Sequence, residues 1–169
     1  MTREAASTYG LRRPERSERT PPSSEPAITA ITMATVPVKS TPASPAEAFA
    51  QILDLAEHNT RRPGRTKMFN VLAAEAGDPG HPAHPFFVRR YAAVVGHVAG
   101  ALEHAKAAGG LKQDTDCVGV AEELAAVMDG LQLQWALNPG HYDMTTRLRR
   151  YLDRTLRSLT GDGSGLNAK

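Results

Sequence analysis

Apolar residues recur most densely between Ala121 and Gly140, and the other segments of the chain are interpreted by how they would pack on this stretch. One set has the three- and four-residue spacing of a single helix face: Ala121, Leu124, Met128, Leu131 and Trp135. A second set runs beside it: Val120, Val127, Leu133 and Leu137. Pro139 and Gly140 end the pattern, because proline cannot continue a helix. A helix apolar over so much of its circumference is expected inside a helical domain or between two chains.

The same spacing predicts four further helices. One is capped by Ser44 and ends near His58, and the next carries apolar positions from Met68 to Ala76. A long helix begins somewhere in residues 82–86 and continues to Gly109, with two prolines leaving its first turn open. The last helix follows Asp143, and Asp116 is the expected cap of the central helix. No segment alternates like a strand, so the prediction is an all-α fold of five helices.

The composition changes at Ser44 and defines three segments. Residues 1–43 are rich in proline, serine and threonine without a sustained apolar period, which predicts a disordered tail. Residues 44–160 hold the helices, and residues 161–169 are expected to be a flexible tail. The 169 residues, 41% of them apolar, suit one ordinary domain.

Charge and cysteine content narrow the class of protein. Twenty Lys and Arg face eighteen Asp and Glu, a balance that does not indicate a body built to coat nucleic acid or an anionic membrane. No apolar run approaches the roughly 20 residues needed to span a bilayer. Cys117 is the single cysteine, interpreted as a small buried hydrophobe near a helix start rather than a reactive thiol. We therefore expect a soluble, cytoplasmic protein.

Signatures of an enzyme are missing from the sequence. It has no glycine-rich phosphate loop, no Gly-x-Ser-x-Gly turn and no paired His-Glu metal motif. His97 and His104 stand two helical turns apart, and His81 with His84 has no evident further ligand. The expectation is no catalytic residue, no cofactor and no metal, with the histidines in surface or packing positions.

The last two predicted helices carry apolar stripes that would fit a pairing of two chains. Two such helices from each chain would form a four-helix bundle about a two-fold axis. The alternative is that both stripes close the core of one chain. Gly130, in mid-helix, is expected to allow close backbone approach at a helix crossing.

Large apolar side chains also gather on the second and third helices. They are Met68, Phe69, Phe86, Phe87 and Tyr91. Such a group packs as ordinary core, or it lines a cavity for an apolar ligand. The residues alone leave both possibilities open.

The stretch Lys67–Phe87 (KMFNVLAAEAGDPGHPAHPFF) with Val88–Tyr91 resembles the regulatory domain of TetR-family transcriptional regulators. Residues 127–135 (VMDGLQLQW) and Leu137-Asn138-Pro139 resemble the penultimate helix of that family. The similarity extends over residues 46–159. It implies an all-helical domain that binds a small apolar effector and forms a homodimer through its last two helices.

The resemblance assigns faces of these helices to two sites. The implied ligand pocket consists of Ile52, Met68, Phe69, Leu72, Phe87, Tyr91, Val94, Val95, Met128 and Gln132. The implied dimer interface consists of Leu124, Met128, Leu131, Trp135, Leu148, Tyr151, Leu152, Thr155, Leu156 and Leu159.

The sequence departs from the family at its amino-terminal end. Members carry a helix-turn-helix DNA-binding module of about 50 residues there, whereas this chain has the Pro- and Ser-rich tail. The expectation is a truncated repressor, which would contact DNA only through a helix-turn-helix supplied elsewhere, for instance in a heterodimer with an intact relative. The alternative is a non-functional remnant or a free-standing dimerisation module without ligand.

Overall fold

The computed structural model describes residue 42 and residues 44–166, and within these the fold is five α-helices without a strand. Their bounds are α1 Pro45–Thr60, α2 Pro63–Glu75, α3 His84–Ala107, α4 Cys117–Leu137 and α5 Met144–Leu159. The all-α prediction is confirmed for this part of the chain. The predicted tail at residues 1–43 lies outside the described residues, apart from Pro42, and so do residues 167–169.

Three helices begin at the side-chain caps that the sequence predicts. Ser44 Oγ accepts from the Glu47 amide at 3.1 Å. Asp116 Oδ1 accepts from the Gly119 amide at 2.9 Å, and Asp143 Oδ1 accepts from Thr146 at 2.9 Å. Each cap satisfies an amide that has no partner inside its own helix, which fixes where α1, α4 and α5 start.

The other two helices carry a proline in their first turn. Pro63 stands at the first position of α2, earlier than the apolar pattern suggests, and Arg62 gives no side-chain cap. α3 begins at His84 with Pro85 in its first turn, where a missing amide costs no helical hydrogen bond. His84 Nδ1 lies 2.7 Å from the Ala76 carbonyl oxygen, which ties the end of α2 to the start of α3.

Helix α4 is central to the fold. It packs against α2, α3 and α5, while α1 packs against α5, α3 and α2. The main core collects buried residues from α1, α3, α4, α5 and the loop before α4: Ala48, Phe49, Leu53, Ala56, Leu102, Ala105, Leu111, Cys117, Leu124, Met128, Trp135, Met144, Leu148, Leu152 and Leu156. Cys117 is a free, buried thiol, as the sequence indicates.

The segment after α5 folds back onto the domain, at least as far as Leu166. The Leu166 amide donates to Asp153 Oδ1 at 3.0 Å, and its side chain packs on the main core. Thr160 Oγ1 donates to the Ser164 carbonyl oxygen at 2.9 Å. Residues 161–166 are therefore attached, although their glycine-rich composition suggests a flexible tail.

Candidate functional site

A second apolar cluster lies apart from the main core, between the end of α2 and the first half of α3. Ala76, Ala83 and Phe87 are its buried centre, surrounded by partly buried Met68, Phe69, Leu72, Ala73, Phe86 and Tyr91. The Phe87 ring meets Phe69 edge-on at 5.3 Å between centroids and Phe86 at 5.2 Å. We call this set the aromatic cluster. Rings at these separations are in favourable contact, so side chains fill its centre.

One polar bridge joins the aromatic cluster to α4. The Tyr91 hydroxyl donates to Asp129 Oδ2, and the Tyr91 ring lies 6.5 Å from that of Phe87. The Arg90 guanidinium lies over the Phe69 ring at 5.1 Å, a cation–π contact. Tyr91 and Asp129 are 38 positions apart in the chain, so this bridge exists only because α3 and α4 pack together.

Burial dominates the electrostatics of the bridge. It raises the pKa of Asp129, against the opposing effects of the Tyr91 hydrogen bond and the nearby Arg90 charge. Burial and then the bond to Asp129 raise the pKa of Tyr91 well above its usual range, so the phenol stays protonated and donates. Burial also lowers the pKa of Arg90. In the bridge, the neutral phenol of Tyr91 thus donates to the partly desolvated carboxylate of Asp129.

The two residues of this bridge also line an open groove between α3 and α4, which has a volume of about 480 Å³. Small apolar residues and three polar ones line it: Tyr91, Ala92, Val95, Glu122, Ala125, Ala126 and Asp129. We call it the α3–α4 groove. Both of its carboxylates, Glu122 and Asp129, come from α4 and lie two turns apart on one face.

A short polar seam crosses the junction of α1, α2 and α4. Asn59 Nδ2 donates to Gln132 Oε1 at 3.3 Å, and Thr66 Oγ1 donates to the Asn59 carbonyl oxygen at 3.1 Å. One helical turn beyond Thr66, Asn70 Nδ2 is buried with no hydrogen-bond partner among the described residues. Leaving a buried donor unpaired costs about 1–3 kcal/mol, so an acceptor reaching Asn70 would stabilise the domain.

The residues of the implied ligand pocket fall into five places. Met68, Phe69, Leu72, Phe87 and Tyr91 do come together, in the aromatic cluster. Met128 is in the main core with Ile52 against it, Gln132 belongs to the polar seam, and Val95 lines the groove. Val94 is 37% exposed. The set therefore does not line one continuous cavity, and the pocket stays a prediction.

Sequence reasoning did not select Glu122 or Asp129. The available signal was Asp129 itself, a carboxylate in the middle of the most apolar stretch of the chain. A charge placed there requires a partner or solvent, but only the packing of α3 identifies Tyr91 as that partner.

Much of the implied dimer interface is inside one chain. Six of its residues have 0–6% exposure: Leu124, Met128, Trp135, Leu148, Leu152 and Leu156. Leu131, Tyr151, Thr155 and Leu159 are half-buried. Within the single chain the stripe on α5 packs on α1 and α4, and the six residues belong to the main core. Their assignment as contact residues, like dimerisation itself, stays a prediction.

An apolar face that is free in the single chain lies instead on the outer side of α4. Val118, Leu133 and Leu137 are 52%, 51% and 77% exposed, and Ala126 and Gly130 are exposed with them. We call these five residues the outer α4 stripe. The expected close approach at Gly130 does not occur within the chain, because a Cβ built there meets no atom within 4 Å.

Neither a metal site nor a membrane span is present in the part of the chain that the structure describes. No group of three or more His, Cys, Asp or Glu side chains is arranged to hold an ion. No described helix is both long and apolar enough to cross a bilayer.

The Tyr91–Asp129 bridge gives a stability prediction. Tyr91→Phe should lower the free energy of unfolding by about 1 kcal/mol at neutral pH, less than a fully buried bond to a charged group would. Because the bond favours ionised Asp129, the loss should shrink as pH falls through the pKa of that carboxyl. Urea unfolding at two pH values would measure it, with Tyr142→Phe as the control. An equal loss at both pH values would contradict the assignment.

Comparison with known proteins finds a similarity over the last three helices. Residues 80–160 match the family described as BetI-type transcriptional repressor, C-terminal. The match covers α3, α4 and α5, which include the groove and the outer α4 stripe. These residues are similar to the C-terminal domains of TetR-family repressors, which confirms the resemblance seen in the sequence. No curated protein and no solved structure matches the chain.

Proposed function

We propose that this chain is the regulatory domain of a TetR-family repressor, that it forms a homodimer through the outer side of α4, and that it responds to a small apolar effector. Its family points to a non-enzymatic regulator of transcription, and regulators of this family usually act as dimers that bind DNA. The observation that carries the proposal is the outer α4 stripe, an exposed apolar face on the helix at the centre of the family match.

The composition of the stripe supports a helix crossing between two copies. Ala126, Gly130, Leu133 and Leu137 recur at spacings of four, three and four, which places them along one side of α4. Gly130 and Ala126 are small, so two such helices can approach closely. An exposed contiguous apolar face of this kind marks an interaction site in a soluble domain.

The effector part of the proposal rests on the aromatic cluster and on Asn70. The cluster is apolar, lies outside the main core and is bounded by flexible Met68. The unpaired Asn70 amide on the same helix offers a hydrogen bond to a ligand acceptor. Entry would require the Phe69 and Phe86 rings to move, because side chains fill the centre.

That filled centre also favours a second candidate function, a helical dimerisation module without ligand. Phe87 contacts rings on two sides and is only 4% exposed. The two candidates share the dimer and differ in whether an apolar molecule enters the cluster.

Leu133→Glu tests the dimer. A carboxylate at the centre of the outer α4 stripe should weaken self-association at least about tenfold, because burying one unpaired charge costs more than 1.4 kcal/mol and a two-fold interface holds two of them. Sedimentation velocity measures the dissociation constant. Gln134 is adjacent and exposed, so the control Gln134→Glu should change the dissociation constant little. Equal constants for native chain and Leu133→Glu would refute this face.

A further inference from the structure

The helices flanking the proposed interface carry opposite charge. α4 has three carboxylates, Glu122, Glu123 and Asp129, and no lysine or arginine. α5 has one carboxylate and five arginines: Arg147, Arg149, Arg150, Arg154 and Arg157. The apolar stripe of α5 is buried in its own chain, so the solvent-exposed surface of this helix consists largely of arginine side chains.

Three of these arginines have neither an ion-pair partner nor a ring contact among the described residues: Arg149, Arg150 and Arg154. Of the three, Arg150 and Arg154 are exposed together on the side of α5 away from Leu148 and Leu152. By contrast, Arg157 is held by Asp153 at 2.8 Å and Arg147 lies over the Tyr142 ring at 4.7 Å. Two copies of α5 facing each other would bring like charges together, which is unfavourable.

The α3–α4 groove offers a matching acceptor next to the outer α4 stripe. Glu122 and Asp129 line it together with Ala126, which also belongs to the stripe. The two carboxylates are two turns apart, about 10 Å along the helix. Arg150 and Arg154 are one turn apart, and their long side chains can lay apolar stems along Ala92 and Val95 while their guanidinium groups reach the carboxylates.

We propose that the α3–α4 groove of one copy receives Arg150 and Arg154 from α5 of a second copy, with Glu122 as the principal partner. This rests on the proposed dimer and names a contact that orients it. Two-fold symmetry would create the contact twice. Because Tyr91 belongs both to the groove and to the aromatic cluster, any ligand that displaces its ring would alter the dimer contact. By linkage, dimerisation and ligand binding would then influence each other equally.

Charge reversal tests this contact, with an adjacent residue as control. Glu122→Arg should raise the dimer dissociation constant about tenfold at low salt, since two exposed ion pairs become repulsive. Glu123→Arg makes the same change of charge one residue away, outside the groove lining, and should change the constant less than about threefold. The difference between the two variants should fall as salt screens the charges.

A combined variant provides the decisive arm. Arg150→Glu with Arg154→Glu should weaken the dimer, and adding Glu122→Arg should recover most of that loss by restoring opposite charges. Thermal unfolding of each variant shows whether it remains folded, and the exposed positions predict that it does. Equal effects at Glu122 and Glu123, or additive losses in the combined variant, would overturn the contact but leave the dimer standing. A native chain that stays monomeric would overturn the proposed function as well.

Discussion

Replacing Leu152 with aspartate is expected to unfold the domain. Leu152 has 0% exposure in the middle of α5 and belongs to the main core shared with α1 and α4. Removing a buried leucine costs about 2–5 kcal/mol. Placing an unpaired carboxylate in the same space adds an effective penalty of several kcal/mol. The sum of these two costs is comparable to the whole free energy of unfolding of a typical domain, roughly 5–15 kcal/mol.

Circular dichroism during urea titration would show the loss, and Arg149→Asp supplies a matched control. Arg149 is an exposed position on the same helix, so its change should alter the free energy of unfolding by less than about 0.5 kcal/mol. A folded, cooperatively melting Leu152→Asp chain would mean that α5 does not bury this face in its own subunit. That result would return Leu152 to the dimer interface.

Phe87→Ala should produce the second large effect, a loss of about 3–5 kcal/mol, because the ring is the buried centre of the aromatic cluster. Val88→Ala is the neighbouring control, since Val88 is 55% exposed and makes no comparable contact. A loss below about 1 kcal/mol for Phe87→Ala would show that the cluster collapses around the gap or is not packed as described.

The same variant separates the two candidate functions. The uncharged fluorescent probe N-phenyl-1-naphthylamine should bind the native chain saturably if the rings move aside for an effector. It should bind Phe87→Ala more tightly, because the cavity left by the ring is apolar and stays dry. Binding to the variant alone would favour the dimerisation module without ligand.

Local chemistry explains what the sequence alone could predict. Ser44, Asp116 and Asp143 cap their helices through amides three residues away, so the starts of α1, α4 and α5 need no knowledge of the fold. The apolar spacing likewise identifies the buried faces of α1, α4 and α5. These signals act within one or two helical turns, which is the range that a sequence pattern reports.

Contacts between distant segments explain what the sequence could not predict. The stripe containing Leu148 and Leu152 reads equally well as intrachain core or as dimer seam, and only the packing on α1 and α4 shows that it is core. The Tyr91–Asp129 bridge, the filling of the aromatic cluster and the return of Leu166 onto Asp153 also depend on where helices lie. A glycine-rich tail gives no apolar period from which to predict such a return.

The central claim is that two copies meet through the outer side of α4, and a spin-label distance tests it most directly. Cys117 is 1% exposed, so a thiol-reactive spin label should modify the cysteine of the Gln134→Cys variant, at the rim of the stripe, and leave Cys117 unmodified. Pulsed electron paramagnetic resonance should give a defined intermolecular distance at Gln134→Cys, shorter than the distance from a label at Val71→Cys on α2. The absence of any intermolecular coupling, or a shorter distance at position 71, would contradict the claim.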